Sequence, residues 1–222
     1  MKAAGTSLEA SLRAACSNID IITQGTTEEV LEGLVGQNNT DCHTGKPIFH
    51  SHTWPDLLYR STLSAWEGYK KITVCRNPWD ACVSYYWWSM QQTKNSQILI
   101  REKDSPELAR EKFRLFLETH SEFDLPSQIS ELSSFEKPCK WLAEISRKFI
   151  DPSIGTYLRY ESLQKDFDEL SDSLDIPKEP LSRFKSTQRV LKKSYQYYYD
   201  DHTRSVVSES FLDLIDFFGY KF

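Results

Sequence analysis

Ile72-Thr73-Val74-Cys75-Arg76-Asn77-Pro78-Trp79-Asp80-Ala81-Cys82-Val83-Ser84-Tyr85-Tyr86 is the stretch on which the reading of the fold turns. The β-rich run over 72–75 predicts a short strand, and Asn77-Pro78 predicts an abrupt change to helix. Asn is a preferred N-cap, and Pro suits the first helical position, where no backbone N–H is needed. Val83, Trp87 and Met90 then recur at helical spacing and mark an inner face. Arg76 stands at the strand-to-helix junction, where its guanidinium can meet a phosphate with two parallel donors. Ser84 follows Asn77 by seven residues, about two helical turns, and so shares a face with the helix start. An Arg in a salt bridge and a Ser packed mid-helix would account for the same residues. Asp80 reads as a cap or dipole partner rather than a catalyst.

Working outward, helical patterns alternate with short β-rich runs. Leu8, Leu12 and Ala15 share one side of a helix over 6–15, with Thr6-x-x-Glu9 as a capping box. Ala109, Phe113, Phe116 and Leu117 outline another helix. Leu163, Phe167, Leu170 and Leu174 step by 4, 3 and 4. A last helix runs from Asp201, with Val207, Phe211, Leu214, Ile215 and Phe218 inward. The β-rich runs are 19–23, 47–50, 72–75 and 156–159; the polar stretch 32–45 reads as a loop, and 91–106, after an aromatic helix, as an exposed excursion. Strand and helix alternate without hairpin turns. The fold class expected is α/β, a parallel β-sheet flanked by helices in one domain over 1–222.

The chain has 222 residues, 39% of them hydrophobic and 13% aromatic, enough for a substantial core and too many for disorder. Lys and Arg number 27 against 32 Asp and Glu, a formal net charge of −5. That balance excludes a general nucleic-acid or membrane-surface binder, so any anion must be held at a local site. Cys16, Cys42, Cys75, Cys82 and Cys139 form no C-x-x-C pair, which predicts free thiols in a reducing compartment. No signal peptide is evident, and no apolar run approaches the ~20 residues of a membrane helix. A soluble, cytoplasmic protein is expected; a membrane anchor would have to lie upstream of Met1.

The opening Lys2-Ala3-Ala4-Gly5-Thr6-Ser7 leads directly into a helix. Gly5 would let the backbone approach a ligand, and the Thr6 and Ser7 amides would lie at the positive end of the helix dipole beside Lys2. No Gly-Lys-Ser/Thr closes this loop, so it is not a Walker A motif. A tail followed by a capped helix is the plainer reading of these residues alone.

Taken together, the motifs resemble the sulfotransferases. Arg-Asn-Pro-Trp-Asp-x-x-Val-Ser-Tyr-Tyr, starting at Arg76, is similar to the family's 3'-phosphate-binding segment, especially that of the carbohydrate type, with the same eight-residue Arg-to-Ser spacing. Lys2 to Ser7 resembles the 5'-phosphosulfate loop, without its leading Pro and preceding strand. Arg159-Tyr160-Glu161-Ser162-Leu163 with Asp166 and Phe167 fits further, as does the ending from Tyr198-Tyr199-Asp200-Asp201 through Phe218-Gly219-Tyr220-Lys221-Phe222. The resemblance implies a P-loop nucleotide-hydrolase-like sulfotransferase fold, here without its first strand. It implies transfer of a sulfuryl group from 3'-phosphoadenylyl sulfate to a hydroxyl or amine acceptor, with carbohydrate favoured, and release of adenosine 3',5'-bisphosphate.

In that scheme the cofactor is held by Lys2, Gly5, Thr6, Ser7, Arg76 and Ser84. The acceptor oxygen attacks sulfur in line while a histidine removes its proton, with His52 the first choice and His50 the second. Lys2 and the Thr6 and Ser7 amides stabilise charge developing on the departing phosphate, and Arg76 and Ser84 fix the 3'-phosphate. A sulfuryl group carries less charge than a phosphoryl group, so no metal is required. Two other readings of the histidines stay open: surface residues, or a metal site with His43, His50, His52 and Cys42. An N-terminally truncated, inactive nucleotide-binding protein of the same fold is the alternative function. Residues 91–150, with Arg101, Arg110, Arg114 and Trp141, are expected to form much of the acceptor pocket.

Overall fold

The computed structural model describes residues 5–13, 15–18, 20, 22, 37–47, 67–93, 98–118, 138–149, 155–182 and 189–222. The strand predicted over 72–75 is β1, Ile72–Cys75, and that over 156–159 is β2, Thr156–Arg159. They pair as a small two-stranded parallel sheet flanked by helices, so the chain is α/β. Parallel partners require a long crossover, and this one spans the 80 residues between Cys75 and Thr156. The chain divides into two compact units that interleave in sequence, Ala4–Val74 with Pro152–Phe184, and Cys75–Asp151 with Lys185–Phe222.

In the first unit, α1 (Gly5–Arg13) and α2 (Leu163–Leu174) cover the sheet. Leu8, Leu158, Phe167 and Leu170 are buried together, with Leu12, Ile72, Val74, Leu163 and Leu174 packed around them. The 4-3-4 stripe thus became a core face, as helical periodicity requires. Its end is set by Asp175, in left-handed conformation at φ 53°, while the Ile176 amide donates back to the Ser171 carbonyl at 3.1 Å.

Helix α1 departs from the expected 6–15. It ends at Arg13, and tighter i→i+3 bonds from Ala15 to Leu12 and Cys16 to Arg13 follow, leaving Ala15 exposed. Thr6 lies inside the first turn instead of capping it, and Glu9 pairs with Arg13 at 3.6 Å. Of the strand expected over 19–23, Ile22 forms an isolated antiparallel bridge to Gln37; most of the remainder, like 48–50, lies outside the described residues. Thr40 and Pro47 make a second antiparallel bridge around a tight turn, which the expectation of no hairpin turns did not include. Asp41 organises that turn by accepting from the Thr44 amide at 2.7 Å, its hydroxyl at 2.8 Å and the His43 amide at 3.0 Å. Gly45 closes it at φ 66°, where a side chain would be strained.

The second unit is built around α3, Pro78–Thr93. Asn77 caps it, accepting from the Trp79 amide at 3.1 Å. Val83, Trp87 and Met90 are buried as expected, but so are Ala81, Cys82, Tyr85, Tyr86 and Ser89. The helix is enclosed on most sides, which explains its aromatic density. Around it pack α4 (Pro106–Glu118), α5 (Pro138–Phe149), a short 3-10 turn at Tyr195–Tyr198, α6 (Asp201–Ser210) and α7 (Leu212–Phe218). Phe113 and Phe116 meet the Tyr86 ring edge-on at 5.6 and 5.2 Å. Ile98 and Ile100, in the stretch expected to be an exposed excursion, are instead buried in this core.

The single terminal helix expected from Asp201 is broken at Phe211 into α6 and α7. Arg147 of α5 takes the Ser210 carbonyl at 2.6 Å, and the Leu214 amide, which would have used it in a continuous helix, bonds Phe211 instead at 3.0 Å. Arg147 also holds Asp213 through both carboxylate oxygens. Asp200 and Thr203 form the reciprocal capping box that starts α6. Among the described residues no helix is long and apolar enough to cross a membrane.

Candidate functional site

At the β1–α3 junction the chain leaves a strand at Cys75 and enters a capped helix at Pro78, which places Arg76 in the gap. Its side chain is 9% exposed and donates from Nε at 2.7 Å and from a terminal nitrogen at 2.6 Å to Oδ2 of Asp80. The other Asp80 oxygen accepts from Arg189 at 2.6 Å. Asp80 is therefore a bridge between two guanidiniums, while capping falls to Asn77. Burial works to raise the Asp80 pKa, but Arg76 and then Arg189 outweigh it and hold the carboxyl below its ordinary value. Ser84 lies half-buried two turns along the same helix.

Asn77 does a second job. Its amide nitrogen donates to the Lys221 carbonyl at 3.0 Å, and Phe222 stands edge-on to Trp79 at 5.5 Å. Tyr199, buried, donates to the Trp79 carbonyl at 2.8 Å. Residues of the C-terminal segment thus converge on the first turn of α3 and stiffen it.

Of the N-terminal loop, Gly5, Thr6 and Ser7 belong to the other unit. Gly5 is exposed with open space where a Cβ would project, and its φ is not positive, so glycine's conformational freedom is not used there. Thr6 is half-buried and Ser7 buried, so the Ser7 side chain packs inward. Lys2, His50 and His52 lie outside the described residues. His43 and Cys42 are exposed, and among the described residues no group of three or more His, Cys, Asp or Glu is placed to hold a metal ion. None of the five cysteines is in a disulfide.

The remaining motif residues take structural roles. Asp166 accepts from the Arg159 amide at 2.6 Å and the Ser162 hydroxyl at 2.9 Å, turning β2 into α2. A groove of about 510 Å³ lies beside this turn, lined by Arg159, Ser162, Lys165, Asp166 and Glu169 among others. Trp141 packs against Tyr85 with ring centres 5.2 Å apart, and Arg110 donates to the Tyr197 carbonyl at 3.3 Å, while Arg101 and Arg114 are exposed.

Arg189 was not among the residues singled out from the sequence. It sits 109 positions from Asp80, in a polar stretch without periodicity, and no local pattern announces that partnership. No family model, no curated protein and no solved structure matches the chain.

Proposed function

We propose that the chain is a sulfotransferase that moves a sulfuryl group from 3'-phosphoadenylyl sulfate to a hydroxyl or amine acceptor, with carbohydrate the favoured class, on a P-loop-like sulfotransferase fold. The observation that carries this reading is the junction itself. A strand of a parallel sheet runs into Arg76, an Asn-capped helix follows, and Ser84 lies two turns along it. The C-terminal end of such strands is where α/β sheets place nucleotide ligands. A guanidinium held there by a carboxylate is set to grip a second anion, since bidentate Arg–phosphate pairs are among the stronger polar contacts.

In the proposed reaction the acceptor oxygen forms a bond to sulfur as the bond from sulfur to the phosphate oxygen breaks, and the acceptor proton passes to His52, or to His50. The electron pair leaves with adenosine 3',5'-bisphosphate, whose developing charge Lys2 and the Thr6 and Ser7 amides stabilise. Arg76 and Ser84 hold the 3'-phosphate. Isothermal titration with adenosine 3',5'-bisphosphate, and with ATP as control, tests the proposal. Metal-independent binding that favours the bisphosphate supports it; equal binding of both, or preference for ATP, overturns it.

A further inference from the structure

We infer that Cys82 and Cys139 form a peroxide-sensitive thiol pair that closes to a disulfide and ties α3 to α5. Neither residue has a part in the sulfotransferase reading. Cys82 lies one turn into α3, and Cys139 is the second residue of α5. Each is 1% exposed, and both belong to the aromatic core that these helices share. Their side chains meet in a hydrogen bond between the two sulfurs. Both sulfurs are also held from outside the pair. The Tyr199 hydroxyl contacts Cys82 and donates to the Trp79 carbonyl at 2.8 Å, and the Ser210 side chain reaches Cys139. Cysteines that serve only as small core hydrophobes have no need to touch; here the two sulfurs face each other.

The two thiols are not equivalent. Cys139 stands in the first turn of α5, where the helix dipole favours a thiolate. The hydrogen bond from Cys82 outweighs burial and holds the Cys139 pKa below the ordinary thiol value. Burial, and then Cys139 itself, push Cys82 well up, so that sulfur keeps its proton. Cys139 is therefore the attacking sulfur. Its thiolate bonds one oxygen of hydrogen peroxide as the O–O bond breaks, giving a sulfenic acid and a hydroxide that takes a proton from solvent. The Cys82 sulfur then bonds the Cys139 sulfur, the S–O bond breaks, and the Cys82 proton leaves with that oxygen as water. The two thiols are oxidised by two electrons, and the peroxide is reduced to two waters. Burial selects this oxidant: peroxide is little larger than water, whereas a bulky disulfide such as oxidised glutathione cannot reach a core sulfur in the folded chain.

To test this, the full folded chain is treated with hydrogen peroxide or with oxidised glutathione, alkylated in denaturant, and mapped by mass spectrometry. Peroxide should give an intramolecular Cys82–Cys139 linkage as the main product, with both thiols lost and both recovered on adding dithiothreitol. Cys75, equally buried at 1%, should stay a thiol. Oxidised glutathione should leave both thiols of the pair intact. Cys82→Ala removes the second sulfur, so Cys139 should carry on to sulfinic acid under peroxide. Cys139→Ala should leave Cys82 a thiol. Far-UV circular dichroism checks that both variants fold, and the linkage in the unmutated chain decides the matter if either does not. No linkage after peroxide, a linkage found only between two chains or only in urea, the same linkage from oxidised glutathione, or oxidation of Cys82 in Cys139→Ala would overturn the proposal.

Discussion

The Asn77 side chain joins the start of α3 to the end of the chain, its oxygen capping the helix at the Trp79 amide and its nitrogen donating to the Lys221 carbonyl at 3.0 Å. Asn77 is 7% exposed, so neither bond is easily replaced by water. Asn77→Ala should destabilise the protein by about 1–3 kcal/mol in urea unfolding, combining a lost cap with a lost bond to the Lys221 carbonyl, which keeps only the longer one from the Tyr195 hydroxyl at 3.5 Å. Asn77→Asp keeps the cap and loses the second bond, and should fall between wild type and Asn77→Ala. Equal stability of all three would show that the helix start does not depend on this side chain.

Tyr86 is buried and carries two hydrogen bonds through one hydroxyl, donating to the Ile98 carbonyl at 2.6 Å and accepting from the Ile100 amide at 2.7 Å. Burial pushes its pKa well up, so it stays neutral at any working pH. Tyr86→Phe keeps the ring packing and orphans both backbone groups. The expected cost is about 1–3 kcal/mol. Faster hydrogen exchange at the Ile100 amide, with the amides of α3 unchanged, would locate the loss.

Asp80 predicts an acid limb in the stability curve. Its folded pKa is depressed, so the unfolded state takes up a proton first as pH falls. Its contribution is complete above the ordinary carboxylate pKa and drains away as pH drops through the lower folded value. The stability gap between wild type and Asp80→Asn should therefore be widest near neutrality and shrink in acid, measured by thermal unfolding at a series of pH values. A gap that is constant or widens in acid would contradict the assigned pairing.

What was legible in the sequence was local. Asn77-Pro78 announces its own helix, and the stripes in α4 and α2 need only neighbours three and four residues away to be read. The break at Phe211 was illegible because it depends on Arg147, more than sixty residues earlier, capturing a carbonyl. The Arg189–Asp80 pair was hidden for the same reason, since a long-range ion pair leaves no period in the chain. Arg76 lies at the β1–α3 junction and Ser84 on α3, the strand-to-helix arrangement that the sequence announces. The Ser7 side chain packs inward, which leaves the sequence reading untouched because that reading used only its backbone amide. Asp80 was read as serving the helix dipole, because its true partners lie on either side of it in three dimensions and only one is nearby in sequence.

The division of labour proposed for Lys2 and Arg76 gives the kinetic prediction. Charge on the departing phosphate grows only as the bond to sulfur breaks, so a lysine facing it stabilises the transition state more than the bound nucleotide. Charge on the 3'-phosphate does not change during transfer, so an arginine gripping it contributes equally before and during reaction. Lys2→Ala should lower turnover by about 10²-fold or more with little change in nucleotide affinity, whereas Arg76→Ala should chiefly raise the Kd for adenosine 3',5'-bisphosphate. Arg76→Ala also strips Asp80 of a partner, so it should cost stability, and Arg76→Lys serves as the check because it keeps the charge while losing the fork. Steady-state constants with 3'-phosphoadenylyl sulfate, read beside titration of the same variants, separate the two effects. The opposite pattern, with affinity lost in Lys2→Ala and turnover alone lost in Arg76→Ala, would exchange the roles of the two residues.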